Sequence, residues 1–294
     1  MTYQEALLEG KNILKDADVA DCETDAWLLL EYVTGIDKNK FILDKVSDKD
    51  MPETDYKAYR DAIERRGQKI PLQHITGVQN FYGYDFFVNE NVLIPRFDTE
   101  VLVEQVINII KKDYGKNTKI PEILDICTGS GCIILSIMAY IRDKMGYTPK
   151  GYALDISDKA LEVARDNARR LDLNPKISLM DILTSEISGN YDIIVSNPPY
   201  IETEVIKGLM SEVKDHEPMI ALDGGQDGLL FYRTIADKAY DHINGGGYLA
   251  FEIGYNQGRG VTDIVTEAGY TDARVIKDYA GNDRVCIARR MKDV

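Results

Sequence analysis

The run from Tyr191 to Ser196, with Ile193, Ile194 and Val195 at its centre, reads as a buried strand and opens directly into Asn197, Pro198, Pro199 and Tyr200. Two prolines fix their own φ and supply no amide protons, and Asn197, standing before Pro198, is biased towards extended backbone. The result is a stiff loop rich in hydrogen-bond acceptors at the end of a buried strand. Its natural ligand is a planar NH₂ group. If the Asn197 side-chain oxygen and the Pro198 carbonyl each accept one hydrogen, the lone pair is aimed outwards as the nitrogen pyramidalises, with Tyr200 stacked on the flat acceptor. An amide nitrogen needs that help, because its lone pair is delocalised into the carbonyl. The fitting chemistry is displacement at an activated methyl group. It requires no strong base, since the nitrogen becomes acidic once the methyl arrives, so the lack of a His-centred base is no objection. The plain alternative is a proline-rich turn that ends a strand.

Three further features could hold the donor of that methyl. The run Ile123 to Ile126 contains Asp125 and passes through Cys127, Thr128, Gly129, Ser130 and Gly131 into a helix bearing Ile133, Ile134 and Ile137. Such a small-residue turn lets a ligand lie against bare backbone, and ligands of open α/β sheets bind beyond strand carboxyl ends near the switch point. Ile134 stands where a dinucleotide fingerprint needs its third glycine, and no GxxxxGK[ST] loop is present, which argues against nicotinamide and nucleoside-triphosphate readings. Asp155 ends the next strand and is placed to accept both hydroxyls of a ribose; Asp181 follows the strand after and could accept an adenine amino proton. Their plain alternatives are a helix-capping acid and a surface acid after a strand.

These residues need strands and helices to hold them. After Pro121, strand-like runs at Ile123 to Ile126, Gly151 to Leu154, Ile177 to Met180, Tyr191 to Ser196, Gly247 to Ile253, Ala273 to Ile276 and Arg284 to Ala288 alternate with helical segments. That alternation predicts a mostly parallel sheet covered by helices on both faces. Ser157 or Asp158 is placed to cap the helix after the second strand, and Asp98 or Thr99 the helix carrying Leu102, Val103, Val106 and Ile110. The amino-terminal stretch is helical by apolar spacing, with a Thr2 and Glu5 capping box, Gly35 as a left-handed cap and Pro52 opening a helix that fades at Gly67. Between them, Gln79 to Phe81 and Asp85 to Val88 read as a hairpin around Tyr82, Gly83 and Tyr84. The expected division is a helical domain over 1–70, a β-hairpin linker over 71–95 and a catalytic domain over 96–294.

Composition narrows the function. The 294-residue chain has 44% hydrophobic and 29% charged residues, ordinary globular values, and a net charge of −14 that gives no long-range pull on polyphosphate. The amino-terminal stretch itself holds more acids than bases, and no aromatic and basic interleaving of the RNA-binding kind is seen. Cys22, Cys127, Cys132 and Cys286 form neither a CxxC pair nor a metal-type cluster with His74, His216 and His242. No run approaches the length of a membrane span, and the amino terminus lacks a basic region followed by an apolar stretch. The expectation is a reduced, cytoplasmic protein without a metal, a membrane partner or stable nucleic-acid binding.

Taken together, the sequence resembles the HemK/PrmC family, methyltransferases of the glutamine in the GGQ loop of peptide chain release factors. The resemblance rests on Leu93 to Glu100, Asp125 to Gly131, Asn197 to Tyr200, Glu217 with Pro218, Ala221 to Gly225, Asp227 to Leu229, Tyr232 with Arg233, and Glu252 to Gly254. It implies a seven-stranded Rossmann-like α/β fold of the class I S-adenosylmethionine-dependent methyltransferases, preceded by a small helical domain that helps dock the release factor. It also implies cofactor contacts at Asp125, Cys127, Thr128, Gly129, Ser130, Gly131, Asp155, Asp181, Ile182 and Asn197, with S-adenosylhomocysteine as product. Catalysis would fall to Asn197, Pro198 and Tyr200, substrate contacts to Asn197, Pro198, Pro199 and Tyr200, and cofactor lining to the segment around Pro95 and Arg96. The implied substrate is a class I release factor. The Asn-Pro-Pro-Tyr loop is shared with adenine-N6 and guanine-N2 methyltransferases of nucleic acids, so methylation of tRNA or rRNA is the alternative. Cys127 stands where the family often has glycine and Phe97 where it often has proline; neither removes a proposed contact.

Overall fold

In the computed structural model, which describes residues 1–43, 46–115 and 119–292, the amino-terminal helix signals act as read. Thr2 Oγ1 accepts from the Glu5 amide at 3.2 Å while the Glu5 carboxylate accepts from the Thr2 amide at 2.8 Å, closing the capping box of α1 (Tyr3–Asp16). Gly35, at φ +67°, ends α2 (Cys22–Thr34). With α3 (Lys38–Leu43), α4 (Glu53–Gly67) and α5 (Leu72–Thr76), these helices bury a core that includes Leu14, Leu29, Leu30, Tyr59 and Ile63. The unit they form comprises Met1–Val78 and Met210–His216. Within it, Arg66 donates to Asp25 at 2.6 Å and to Glu212 at 2.8 Å.

The hairpin is narrower than the 71–95 linker that the sequence predicts, because Leu72–Thr76 is helical. Its strands are β1 (Val78–Phe81) and β2 (Tyr84–Phe87), joined at Tyr82 and Gly83 with φ of +51° and +81°. Positive φ at both central residues matches the strand twist. Phe81 and Phe86 are fully buried and join the core of the second unit, Gln79–Leu209 and Glu217–Val294.

Next comes α6 (Glu100–Ile109), which neither Asp98 nor Thr99 caps. Phe97–Thr99 is a 3-10 turn that runs into the helix, Thr99 is itself helical at φ −65°, and no side-chain cap bond forms. The reason lies elsewhere in the chain: the Asp98 carboxylate is engaged by Arg284 at 3.2 Å, and Thr99 is buried.

From there the chain alternates as expected: β3 (Glu122–Ile126), α7 (Cys132–Met145), β4 (Lys150–Asp155), α8 (Asp158–Arg170), β5 (Lys176–Leu179), β6 (Tyr191–Ser196), α9 (Thr203–Ile206), α10 (Ser211–Lys214), α11 (Leu230–Tyr240), β7 (Ile243–Glu252), α12 (Gly258–Glu267), β8 (Thr271–Lys277) and β9 (Asp283–Arg289). All seven sheet strands fall on the apolar runs. Their order is β5-β4-β3-β6-β7-β9-β8, with β5 to β7 parallel and β9 antiparallel to both neighbours. One face packs on α6 and α7, the other on α11 and α12. Every residue of β6 is buried, Asp192 and Ser196 included, which is why its centre, Ile193 to Val195, is a continuous apolar stretch without alternation. The chain leaves β3 towards β4 on one side and returns to β6 on the other, so the carboxyl ends of these strands frame the switch-point crevice.

Candidate active site

The turn after β3 is shaped by three residues of positive φ: Cys127 at +60°, Gly129 at +54° and Gly131 at +79°. A Cβ added at Gly129 would meet nothing within 4 Å, so that backbone lies bare towards the crevice. At Gly131 the same atom would come within 3.0 Å of Leu135 and 3.3 Å of Ala164, which is the close packing of α7 that the turn needs. Cys127 occupies the left-handed region that favours glycine, and burial pushes its thiol up. Beneath the turn Asp125 is fully buried and accepts from the Thr128 hydroxyl at 2.6 Å; burial pushes its carboxyl up to about 7.

Asp155 ties the first two strand ends together. Its Oδ2 accepts from the Gly129 amide at 2.8 Å and its Oδ1 from the Ser157 amide at 2.9 Å. Burial raises its carboxyl, and those amides oppose the rise. Of the two proposed caps of α8 it is Ser157 that acts, accepting from the Ala160 amide at 3.2 Å. Asp181 is fixed by the Leu183 amide at 2.9 Å and the Thr184 hydroxyl at 2.8 Å.

These groups open onto a cavity of about 270 Å³ that gathers Cys127, Thr128, Gly129, Asp155, Asp181, Ile182, Asn197 and Pro199 on one wall or another. Asp125, Ser130 and Gly131 lie behind the turn and do not line it, nor do Pro198 and Tyr200. Tyr200 instead sends its hydroxyl to Glu252 Oε1 at 3.3 Å, and its carbonyl accepts from Gln257 Nε2 at 2.9 Å. Pro95 and Arg96 are on the lining, as the resemblance implied.

Arg96 is placed there by Glu217, a buried carboxylate that accepts from Arg96 Nη2 at 2.7 Å and from the Ile94 amide at 3.2 Å. Burial raises this carboxyl, against the pull of Arg96. No local spacing could reveal such a pair, since the partners lie 121 residues apart. Gln257 was missed for the same reason: the two carbonyls to which its Nε2 donates, those of Tyr200 and Gly228, come from separate loops.

The lining suits S-adenosylmethionine. Half-exposed Ile156 and Leu183 with Met180 offer an apolar seat for a flat base, flanked by the carboxylates of Asp155 and Asp181, while the bare Gly129 backbone leaves room for a chain to pass. Among the described residues no group of three or more His, Cys, Asp or Glu converges as a metal site would require, and no helix is long and apolar enough to cross a membrane.

The sheet order, the glycine-rich turn after β3 and this cavity define a class I S-adenosylmethionine-dependent methyltransferase. Residues 99–214 match the family described as methyltransferase small domain and residues 5–77 that described as PrmC N-terminal domain. Release factor glutamine methyltransferases are similar over nearly the whole chain. That of Caulobacter vibrioides is 38% identical, covering 98% of this chain and 96% of its own, and that of Clostridium botulinum 39% identical, covering 99% and 100%. The chain belongs to the release factor glutamine methyltransferase family. Among solved structures, the hMettl16 catalytic domain in complex with a MAT2A 3′UTR hairpin matches with a TM-score of 0.55 and 16% identity over 79% of this chain and 83% of that one, a likeness of fold alone.

Proposed function

We propose that this chain transfers a methyl group from S-adenosylmethionine to the side-chain amide nitrogen, N5, of the glutamine in the GGQ loop of class I peptide chain release factors. The observation that carries the reading is the relation to release factor glutamine methyltransferases across both units, the amino-terminal helical unit included. The bound cofactor supplies an electrophilic methyl on a sulfonium. The protein's own task is to hold and orient the acceptor. Asn197 and the Pro198 carbonyl accept the two amide hydrogens, and the prolines keep those acceptors from relaxing away. Asp155 and Asp181 take the hydroxyl and amino groups of the nucleoside, and the turn from Cys127 to Gly131 passes its tail. Asp125 acts from behind, bracing Thr128 in that turn.

The test is purified protein with methyl-labelled cofactor, offered a class I release factor in one reaction and total RNA in another. Label in the release factor, with a mass increment of about 14 on the GGQ glutamine, is the expected result; label in RNA alone overturns the reading.

A further inference from the structure

We propose that Glu252 is a positioning residue for the acceptor, holding the ring of Tyr200 in place through the tyrosine hydroxyl. The inference rests on the reading of Asn197 to Tyr200 as the acceptor loop. Glu252 ends β7 and is 1% exposed. A carboxyl there is costly: the nearby Arg284 charge and the Thr99 hydroxyl offset part of that cost, yet one of its oxygens, Oε2, has no partner at hydrogen-bond geometry. Its other oxygen receives the Tyr200 hydroxyl at 3.3 Å.

The backbone of Tyr200 is already clamped. Gln257 Nε2 donates to its carbonyl at 2.9 Å, and Gln257 is itself fixed by the Gly254 amide at 2.9 Å and the Tyr232 hydroxyl at 3.3 Å. On the far side, a Cβ at Gly224 would come within 2.7 Å of Tyr200 Cα. The ring itself is partly buried against the core of β7 and α11, and the hydroxyl tether to Glu252 adds a directional hold on its plane. Stacking on a flat amide demands a fixed ring plane, so a carboxyl unsuited to packing is suited to this purpose.

The experiment measures kcat, KM for the release factor, cofactor affinity and Tm for Tyr200→Phe, Glu252→Leu, Glu252→Gln, the double variant Tyr200→Phe with Glu252→Leu, and Asn197→Ala. Expected is a drop in kcat of about 10- to 100-fold for both Glu252→Leu and Tyr200→Phe, with cofactor affinity within about twofold of the parent. Glu252→Gln, which keeps an acceptor, recovers kcat to within about fivefold, and the double variant falls no further than the worse single change. Glu252→Leu with near-parent kcat, or losses that multiply in the double variant, overturns the proposal. Should Glu252→Leu fail to fold, Tyr200→Phe decides alone: kcat within about twofold of the parent overturns it. Parent-level turnover in Asn197→Ala instead removes the acceptor-loop reading, whereas a dead Asn197→Ala beside an active, folded Glu252→Leu removes only the role of Glu252.

Discussion

Asn197 lines the cavity and stands on the loop that we propose holds the acceptor, so on that reading its loss separates cofactor binding from turnover. Asn197→Ala is expected to leave cofactor affinity largely intact and to lower kcat at least about 100-fold, the scale of losing one preorganised polar contact in a closed site. Isothermal titration beside single-turnover kinetics checks both halves, and near-normal kcat would refute its role. Two other side chains carry a pH signature. Asp125 and Glu252 are wholly buried and pushed up to about 7 by burial, whereas acids in an unfolded chain titrate near 4. Between those values the folded protein retains protons that the unfolded chain releases, so their contribution to stability falls as pH rises from about 4 to about 7 and is level above. In thermal melts of ligand-free protein from pH 5 to 8, Asp125→Asn should lose less Tm across that window than the parent. Equal slopes would show that Asp125 does not titrate there.

At the scale of elements, legibility followed locality. β6 was plain because burial on both faces leaves an apolar run at its centre, and the capping box of α1 because its two partners are three residues apart. The proposed caps of α6 failed because Asp98 answers to Arg284 on β9, a tertiary partner that overrides the local preference. The site divided in the same way. The turn after β3 and the loop from Asn197 to Tyr200, which we propose holds the acceptor, are contiguous segments and stand out in the sequence, while Glu217 under Arg96 and Gln257 under Tyr200 act across loops distant in sequence. Gly228 belongs with these hidden supports. It takes φ +67°, and a Cβ there would stand 2.4 Å from the Tyr200 carbonyl oxygen. Gly228→Ala should therefore cost roughly 1–3 kcal/mol and displace the loop from Asn197 to Tyr200. Denaturant unfolding with kcat measured on the same preparation would show both losses; unchanged kcat would mean that the loop tolerates the intrusion.

For the whole molecule, chain continuity and structural unit do not coincide. The helical unit takes Met210–His216 from beyond the acceptor loop, and that segment brings Glu212 to Arg66. Arg66 and Asp25 are 6% and 9% exposed, so the pair has little water to fall back on. Removing the cation leaves Asp25 buried without its partner, a change that costs about 3 kcal/mol or more. The single tryptophan, Trp27, lies in the same core and reports on it. In urea, Arg66→Ala should lower the Trp27 fluorescence midpoint by an amount equivalent to that loss. Cofactor affinity should hold, because the cavity is built wholly from residues of the other unit. Asp25→Leu combined with Arg66→Met should recover most of the midpoint, since replacing a buried ion pair by apolar groups is often neutral. A midpoint that ignores Arg66→Ala would mean that the ion pair does not hold the helical unit together.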